Sequence, residues 1–217
     1  MKTISFSKTY GRRMVLELPE LELPEGQITA VIGPNGSGKS TFAKVLAGIE
    51  RADEKRPILA GSSVGYLPQK SFPFRMSTER NILQNGNDPA RAARLMKALG
   101  IEALAGQSAK RLSGGETARM ALCRILMKQY RLLILDEPTS AMDMESTLAS
   151  ERLISEYCRE TGCAVLLITH SIQQARRAAD RILVLQNGEL IEQGETEQVL
   201  SSPQQEQTKR FLDFYGI

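Results

Sequence analysis

The sequence predicts an α/β fold with a mostly parallel β-sheet, and three features of the chain indicate it. Short apolar or β-branched segments recur along the 217 residues. Between them lie stretches whose apolar residues have the spacing of amphipathic helices. No internal repeat, low-complexity tract or long linker interrupts the alternation. Strands that alternate with helices form parallel sheets covered by helices on both faces.

The elements can be predicted in chain order. Strands are predicted at Gln27–Ile32, Leu132–Leu135 and Ala164–Thr169. A hairpin is predicted from Arg181–Leu185 through the turn Asn187-Gly188. Helices are predicted at Ser40–Leu46, Pro89–Leu99, Glu116–Lys128 and Pro203–Tyr215. The unbroken apolar run from Leu132 is typical of a strand that is buried on both faces.

One domain is expected over residues 1–217, with a helical subdomain inserted into it. The core is assigned to residues of about 1–74 and 130–217, and the helical subdomain to about 75–129, where strand signals are scarce. This middle segment is basic, with twelve Lys and Arg against four Asp and Glu between Lys70 and Arg131. It either faces an anionic partner or is an ordinary solvated helical surface, and both interpretations stay open.

Composition excludes several classes of function. Aromatic residues make up 5% of the chain and Trp is absent, so a base-stacking platform and a nucleic-acid partner are not expected. No apolar run approaches the roughly 20 residues of a membrane span. The N-terminus lacks the apolar stretch of a signal peptide. The three cysteines form no CxxC pair and are interpreted as buried apolar residues in a reducing compartment.

A phosphate-binding loop is indicated by Gly33-Pro34-Asn35-Gly36-Ser37-Gly38-Lys39-Ser40, which matches GxxxxGK[ST] between a predicted strand and a predicted helix. Glycines let backbone N–H groups surround phosphate oxygens, and the helix N-terminus adds positive potential. Lys39 is expected to contact the β- and γ-phosphates of ATP, and Ser40 to ligate Mg²⁺. Thr41 is assigned to the same nucleotide site.

A pair of acids follows the predicted strand Leu132–Leu135. This strand places Asp136 at its carboxyl end, the edge at which open α/β sheets bind ligands. Asp136 is expected to hold Mg²⁺, and the adjacent Glu137 to act as general base on the attacking water.

The segment Leu112-Ser113-Gly114-Gly115-Glu116 resembles the LSGGQ signature of ABC ATPases, with Glu in place of the final Gln. The chain is therefore identified as a member of this family, and the resemblance covers nearly its whole length. It implies a P-loop NTPase cassette of the ABC type with additional N-terminal antiparallel strands. It also implies that Ser113, Gly114 and Gly115 contact the ATP held by a second copy, in a head-to-tail dimer.

Four further positions resemble family motifs in the expected order. Tyr10 resembles the aromatic residue that stacks on adenine, although a tyrosine near a strand end is often a core residue. Gln69 in GYLPQ resembles the glutamine that contacts Mg²⁺ and the catalytic water. Asp143 in Ser-Ala-Met-Asp resembles the loop that crosses the dimer interface. His170, the single histidine, resembles the switch residue at the γ-phosphate.

The resemblance implies a motor subunit in which ATP closes the dimer and hydrolysis reopens it. A single cassette without a span or a long coiled coil favours a binding-protein-dependent importer, peripheral on the cytoplasmic face of the membrane. Its expected partners are transmembrane permease subunits and, indirectly, an extracytoplasmic solute-binding protein. The sequence leans to tungstate and phosphate importers but does not identify the solute. The alternative is a soluble ABC ATPase in repair or division.

Two local features can be compared with other members of the family. Phe72 and Phe74 either seat a helix of a membrane subunit or pack within the subdomain. Only about twenty residues separate Gly48 from Gln69. The antiparallel strands that are usual there in the family are therefore expected to be shortened.

Overall fold

The computed structural model describes residues 1–54, 59 and 63–216. Within those ranges eight strands form one sheet in the order β1-β2-β8-β7-β3-β6-β5-β4. The strands are β1 Phe6–Tyr10, β2 Arg13–Leu18, β3 Ile28–Ile32, β4 Val64–Leu67, β5 Leu132–Asp136, β6 Ala164–Ile168, β7 Arg181–Gln186 and β8 Glu189–Glu195. Residues 55–58 and 60–62 are not among the described residues. The strands expected to be shortened between Gly48 and Gln69 would include these residues, so that prediction lies outside the described residues.

The centre of the sheet is parallel and two of its pairings are antiparallel. β3 runs parallel to β6 and β7, and β5 runs parallel to β4 and β6. The pairs β1–β2 and β7–β8 are antiparallel. The prediction of a mostly parallel core with N-terminal antiparallel strands is therefore confirmed.

Eight α-helices lie between or after these strands in the described part of the chain. They are α1 Lys39–Leu46, α2 Thr78–Leu83, α3 Pro89–Ala98, α4 Gly114–Leu126, α5 Met144–Thr161, α6 Ile172–Ala178, α7 Thr196–Ser201 and α8 Glu206–Phe214. Residues 75–129 hold α2, α3 and α4 with two short 3₁₀ turns. None of the helices that are described is long and apolar enough to cross a membrane.

Strand β5 separates two apolar cores. Its side chains alternate between faces. Leu132 and Ile134 pack in the cluster that contains Phe42 of α1. Leu133 and Leu135 pack in the cluster formed with α4 and α5. All five residues of the strand are buried, as its unbroken apolar sequence predicts.

The C-terminal helix begins three residues later than predicted. The backbone N–H groups of Gln204 and Gln205 donate to the two carboxylate oxygens of Glu192 over 2.8 and 3.1 Å. These bonds hold the segment after Pro203 against β8, so α8 starts at Glu206. The strand β4 and the helices α2, α5, α6 and α7 were not predicted. Four to six residues carry too little periodicity to identify α2, α7 and β4, whereas the 18 residues of α5 were long enough and were missed.

Candidate active site

The sheet order brings the predicted site residues to one edge. Strands β3, β6, β5 and β4 are consecutive neighbours and all parallel. Their carboxyl ends therefore lie side by side, and the segments that follow them carry Gly33–Ser40, His170, Glu137 and Gln69 respectively. Four segments that are distant in sequence form one ligand-binding crevice of the kind found in open α/β sheets.

The loop from Gly33 to Gly38 requires glycine at two positions, where its backbone closely approaches neighbouring strands. A Cβ at Gly33 would lie 1.9 Å from the carbonyl oxygen of Leu185, and Gly33 has φ 147°. A Cβ at Gly38, where φ is 99°, would lie 2.6 Å from Leu16 Cδ2. The loop therefore packs directly against β7 and β2 and keeps its backbone N–H groups close to where phosphate would bind.

The other residues assigned to the phosphate loop differ in how far they are exposed to solvent. Asn35 and Gly36 are exposed at the apex of the loop, and Pro34 is partly buried. Ser37 is buried, and its carbonyl accepts a hydrogen bond from Gly188 N over 3.0 Å. Thr41 lies in the first turn of α1 and is half-buried.

The ammonium group of Lys39 is buried inside this loop. Its Nζ donates to the carbonyl oxygens of Gly33 and Pro34 over 2.8 and 2.9 Å. Burial lowers the pKa of Lys39, and the nearby carboxylates of Glu137 and Asp136 oppose that shift. The loop thus holds a desolvated cation next to its N–H groups, which is a strong arrangement for phosphate oxygens.

Asp136 is buried and receives two hydroxyl donors. Ser40 Oγ donates to Oδ1 over 3.3 Å, and the Tyr66 hydroxyl donates to Oδ2 over 3.2 Å. Burial raises the pKa of Asp136, and the hydrogen bonds from Ser40 and Tyr66 oppose the shift. Ser40 and Asp136 together supply the hard oxygen ligands that fit Mg²⁺, which normally binds one or two carboxylates plus substrate phosphates.

Tyr66 is a site residue that the sequence motifs did not reveal. It precedes Gln69 by three positions, and its neighbour across β4–β5 is Ile134. Because side chains alternate along a strand, Tyr66 lies on the same sheet face as Asp136, two residues beyond Ile134. Only the strand register, which no local motif encodes, could have identified this contact.

Glu137 lies between two other predicted catalytic residues. Gln69 Nε2 donates to Glu137 Oε2 over 2.8 Å, and His170 Nδ1 lies 3.3 Å from the same oxygen. The backbone of Glu137 has φ 49°, in the left-handed region that non-glycine residues rarely adopt. Such strain persists when surrounding contacts impose it, and it concentrates at functional sites.

The signature residues open α4, on the far side of a groove that Gly114 shares with Gln69 and Glu137. Ser113 caps α4: its Oγ accepts from Glu116 N over 3.3 Å, while Ser113 N donates to Glu116 Oε2 over 2.7 Å. A Cβ at Gly115 would lie 2.9 Å from the carbonyl oxygen of Ala141. Gly114 lines a groove of about 460 Å³ between the Gln69 loop and α4. No hydrogen bond in the described part of the chain joins Ser113–Gly115 to the loop at Gly33–Gly38.

Asp143 and Tyr10 occupy two further positions outside the cluster. Asp143 caps α5, where its Oδ1 accepts from Ser146 N over 2.8 Å, and this bond lowers the pKa of Asp143. Tyr10 ends β1 with 46% of its surface exposed. The Lys8 Nζ lies 4.9 Å from the centre of the Tyr10 ring. Tyr10 is therefore not a core residue, and its ring is accessible to a planar ligand.

Comparison with known proteins adds family information. Residues 16–140 match the family model described as ABC transporter. The chain is 36% identical over 204 residues to the tungstate uptake system ATP-binding protein TupC of Peptoclostridium acidaminophilum, covering 85% of this chain and 93% of that protein. It is 39% identical over 193 residues to the zinc import ATP-binding protein ZnuC of Chelativorans sp. (strain BNC1), covering 85% and 67%. A solved structure of an ATP-binding subunit of an ABC transporter has a TM-score of 0.80 over 92% of this chain and 91% of that one, with 22% identity.

Proposed function

Because this chain belongs to the ABC transporter family, we propose that it completes its ATP sites by pairing head to tail with a second copy. The chain is an ATP-binding subunit and an ATPase, the motor of a transporter. One observation carries the proposal. The loop at Gly33–Gly38 and the acids Asp136 and Glu137 form one edge of the sheet, whereas no hydrogen bond among the described residues joins the signature Ser113–Gly115 to that loop.

In the proposed site, the residues of one copy bind ATP and activate water. Lys39 and the loop N–H groups hold the phosphates, and Ser40 and Asp136 hold Mg²⁺, which supplies positive charge to the phosphate oxygens. Glu137 accepts the proton of the attacking water. The Gln69 amide is bonded to Glu137 through its N–H, so its oxygen is left for Mg²⁺ or water.

The partner copy supplies the remaining contacts. Its α4 N-terminus, with Ser113, Gly114 and Gly115, faces the γ-phosphate, where helix N–H groups and the Ser113 hydroxyl can donate. Asp143 lies in the loop at the interface between copies. Gly115 lies so close to the backbone of Ala141 that the start of α4 and this loop pack directly against each other. In the copy that binds the nucleotide, His170 beside Glu137 contacts the γ-phosphate, and Tyr10 stacks on adenine.

We propose that the chain docks on transmembrane permease subunits at the cytoplasmic face of the membrane. Phe72 and Phe74 are 76% and 52% exposed, so packing inside the subdomain does not account for Phe72. Phe72 lines the groove of about 460 Å³ that also contains Gln69 and Glu137. A permease helix seated there would contact the loop that carries Gln69, whose amide is hydrogen-bonded to the proposed general base, and this supports a mechanical link between docking and hydrolysis.

The docking proposal can be tested with a pair of phenylalanines. Phe72→Ala should abolish the stimulation of ATPase activity by co-expressed permease subunits and leave the basal rate unchanged. Phe214→Ala is the matched control, because Phe214 is 84% exposed on α8 and outside the groove. Equal loss in both variants, or full stimulation in Phe72→Ala, would exclude the groove as the docking surface. A chain that responds to no membrane subunit would favour a soluble ABC ATPase.

The transport direction is proposed from the relatives. TupC and ZnuC are named for tungstate uptake and zinc import, so we propose that this chain powers an importer with a solute-binding protein. Tungstate is an oxyanion and zinc is a cation, and a motor subunit does not contact either. We retain the tungstate and phosphate class as the first solutes to assay in membrane vesicles. Uptake of a cation alone would contradict this choice.

A further inference from the structure

We propose that Gln174 is a positioning residue for ATP hydrolysis, which sets the distance between the segments that carry Glu137 and His170. This inference rests on the catalytic roles proposed above for those two residues. Gln174 is 3% exposed on α6. It touches neither the acid nor the histidine in any hydrogen bond of the described residues, so it would act through its neighbours.

The side-chain amide of Gln174 bridges two elements. Its Nε2 donates to Thr139 Oγ1 over 2.9 Å and to Glu151 Oε1 over 3.2 Å. Thr139 lies two residues after Glu137, in the turn that leads out of β5. Because Gln174 lies four residues after His170, one amide ties the segment after the acid to the helix after the histidine.

The backbone of Gln174 strengthens the same link. Ser171 follows His170 directly and caps α6, where its Oγ accepts from Gln174 N over 3.2 Å. The start of α6 is thus fixed by Gln174 from both its backbone and its side chain. A shift of Gln174 would move the backbone next to His170.

An ion pair holds Gln174 in this position. Arg177 forms two hydrogen bonds to Glu151, from Nε to Oε2 over 2.9 Å and from Nη2 to Oε1 over 2.7 Å. Glu151 is 7% exposed, so this carboxylate requires the compensation that Arg177 and Gln174 provide. Glu151 belongs to α5, which anchors the network to a long helix of the core.

The space around these residues is not filled by apolar side chains. A polar cavity of about 210 Å³ is lined by the catalytic pair Glu137 and His170 and by Thr139, Gln174 and Arg177 among others. The hydrogen bonds of Gln174 therefore add to the apolar packing of Ile172 and Ala175 in setting the 3.3 Å between His170 Nδ1 and Glu137 Oε2. A misplacement of about 1 Å at a reacting group can reduce the rate about a hundredfold.

The first test compares two neighbouring glutamines. Gln174→Leu should lower kcat about ten- to a hundredfold. The KM for ATP and the affinity for a fluorescent ATP analogue should stay within about twofold, because Tyr10 and the loop at Gly33–Ser40, which hold most of the nucleotide, do not contact Gln174. Gln173→Leu is the matched control, since Gln173 is exposed on the same helix. A kcat of Gln174→Leu within about twofold of wild type would overturn the proposal, and so would equal losses in kcat and nucleotide affinity.

A charge exchange covers the case in which Gln174→Leu does not fold. Gln174→Glu places a second carboxylate 3.2 Å from that of Glu151 and should also lower kcat. Glu151→Gln combined with Gln174→Glu restores one amide and one carboxylate beside Arg177, and kcat should recover to within about threefold of wild type. Failure of the double variant to recover activity, in a folded protein, would overturn the proposal.

Glu137→Gln in the same assay separates this inference from the proposed function. If Glu137→Gln loses hydrolysis and Gln174→Leu keeps full activity, the positioning role of Gln174 is contradicted and the catalytic role of Glu137 stands. Full activity in Glu137→Gln would remove the catalytic assignment on which the inference rests.

Discussion

Gln69 and Glu137 are joined by a hydrogen bond of 2.8 Å from the Gln69 side-chain amide to Glu137 Oε2. The two residues follow β4 and β5, which are neighbouring parallel strands. The loop that carries Gln69 continues to the exposed ring of Phe72. One short segment therefore contains both the contact to the proposed general base and part of the proposed permease surface. A displacement of Phe72 when a permease subunit docks can therefore shift Gln69, which is hydrogen-bonded to Glu137.

Glu137→Gln tests the general base. The amide cannot accept a proton from water, so hydrolysis should fall by about 10²–10⁴-fold. ATP affinity should be retained, and an ATP-bound dimer should become visible by size-exclusion chromatography. Glu160→Gln, at an exposed position on α5, should behave as wild type. Loss of ATP binding in Glu137→Gln would show that Glu137 has a structural role instead.

Tyr10→Ala tests adenine stacking. Removal of the ring should weaken ATP binding by about 1–3 kcal/mol, the range for base–aromatic stacking. Tyr10→Trp should retain affinity, because indole offers a larger ring. Tyr215→Ala provides a matched control, since this tyrosine is also partly exposed, at 42%, but lies after α8. ATP titrations in which Tyr10→Ala equals wild type would exclude the assignment.

Tyr66→Phe tests the hydroxyl contact to Asp136. The ring remains, but Oδ2 of Asp136 loses its donor. Residues that orient a metal ligand commonly change metal affinity by about 10–100-fold when removed. The Mg²⁺ concentration for half-maximal ATPase activity should therefore rise, and Mn²⁺ binding followed by electron paramagnetic resonance should weaken. Nucleotide affinity without metal should not change. Identical metal titrations in both proteins would contradict a role for Tyr66.

Asp136→Asn tests the electrostatic cost of the buried acid. Burial raises the pKa of Asp136 above its ordinary 3.8, so the folded protein binds this proton more tightly than the unfolded chain. Stability is therefore lost as the pH rises from that value through the raised one. Asn keeps an acceptor oxygen without the charge. We expect Asp136→Asn to raise the unfolding midpoint at pH 8 without nucleotide by roughly 2–4 °C, the effect of about 1 kcal/mol in a domain of this size.

The outcome at low pH provides the check on that prediction. Well below pH 3.8 the wild-type carboxyl is protonated in both the folded and the unfolded state, so the two proteins should unfold at the same temperature. Lys39 loses one of the two carboxylates that favour its charge, which opposes the gain but leaves Glu137 in place. A variant that is less stable than wild type at pH 8 would show that the Lys39 contribution is larger than the cost of burying Asp136.

Local motifs allowed much of this site to be predicted. The contacts that depend on how distant strands pair could not be predicted from the sequence. The loop at Gly33–Ser40 and the strand before Asp136 are continuous segments whose residue types specify their own conformation. Tyr66 contacts Asp136 only because β4 and β5 pair with Tyr66 opposite Ile134. The left-handed backbone of Glu137 is likewise imposed by its surroundings, since nothing in the residue type favours it.

The polar network around Glu151 likewise could not be predicted from local motifs. Glu151, Gln174 and Arg177 lie on two helices whose sequences resemble ordinary solvated amphipathic helices. Their side chains meet only after α5 and α6 pack on the sheet. A buried carboxylate is uncommon enough that sequence alone favours exposure for Glu151, whereas the exposure of Arg177 is what its residue type leads one to expect.

The most direct test of the account is the ATPase rate per chain as a function of protein concentration, with molecular mass measured by light scattering in the same samples. Two composite sites need two copies, so the rate per chain should rise with concentration and reach a plateau as the ATP-bound dimer forms. Lys39→Ala should abolish both effects, because it removes the ammonium group from the phosphate loop. A rate per chain that is independent of concentration, in a protein that stays monomeric with Mg²⁺ and ATP, would contradict the head-to-tail dimer.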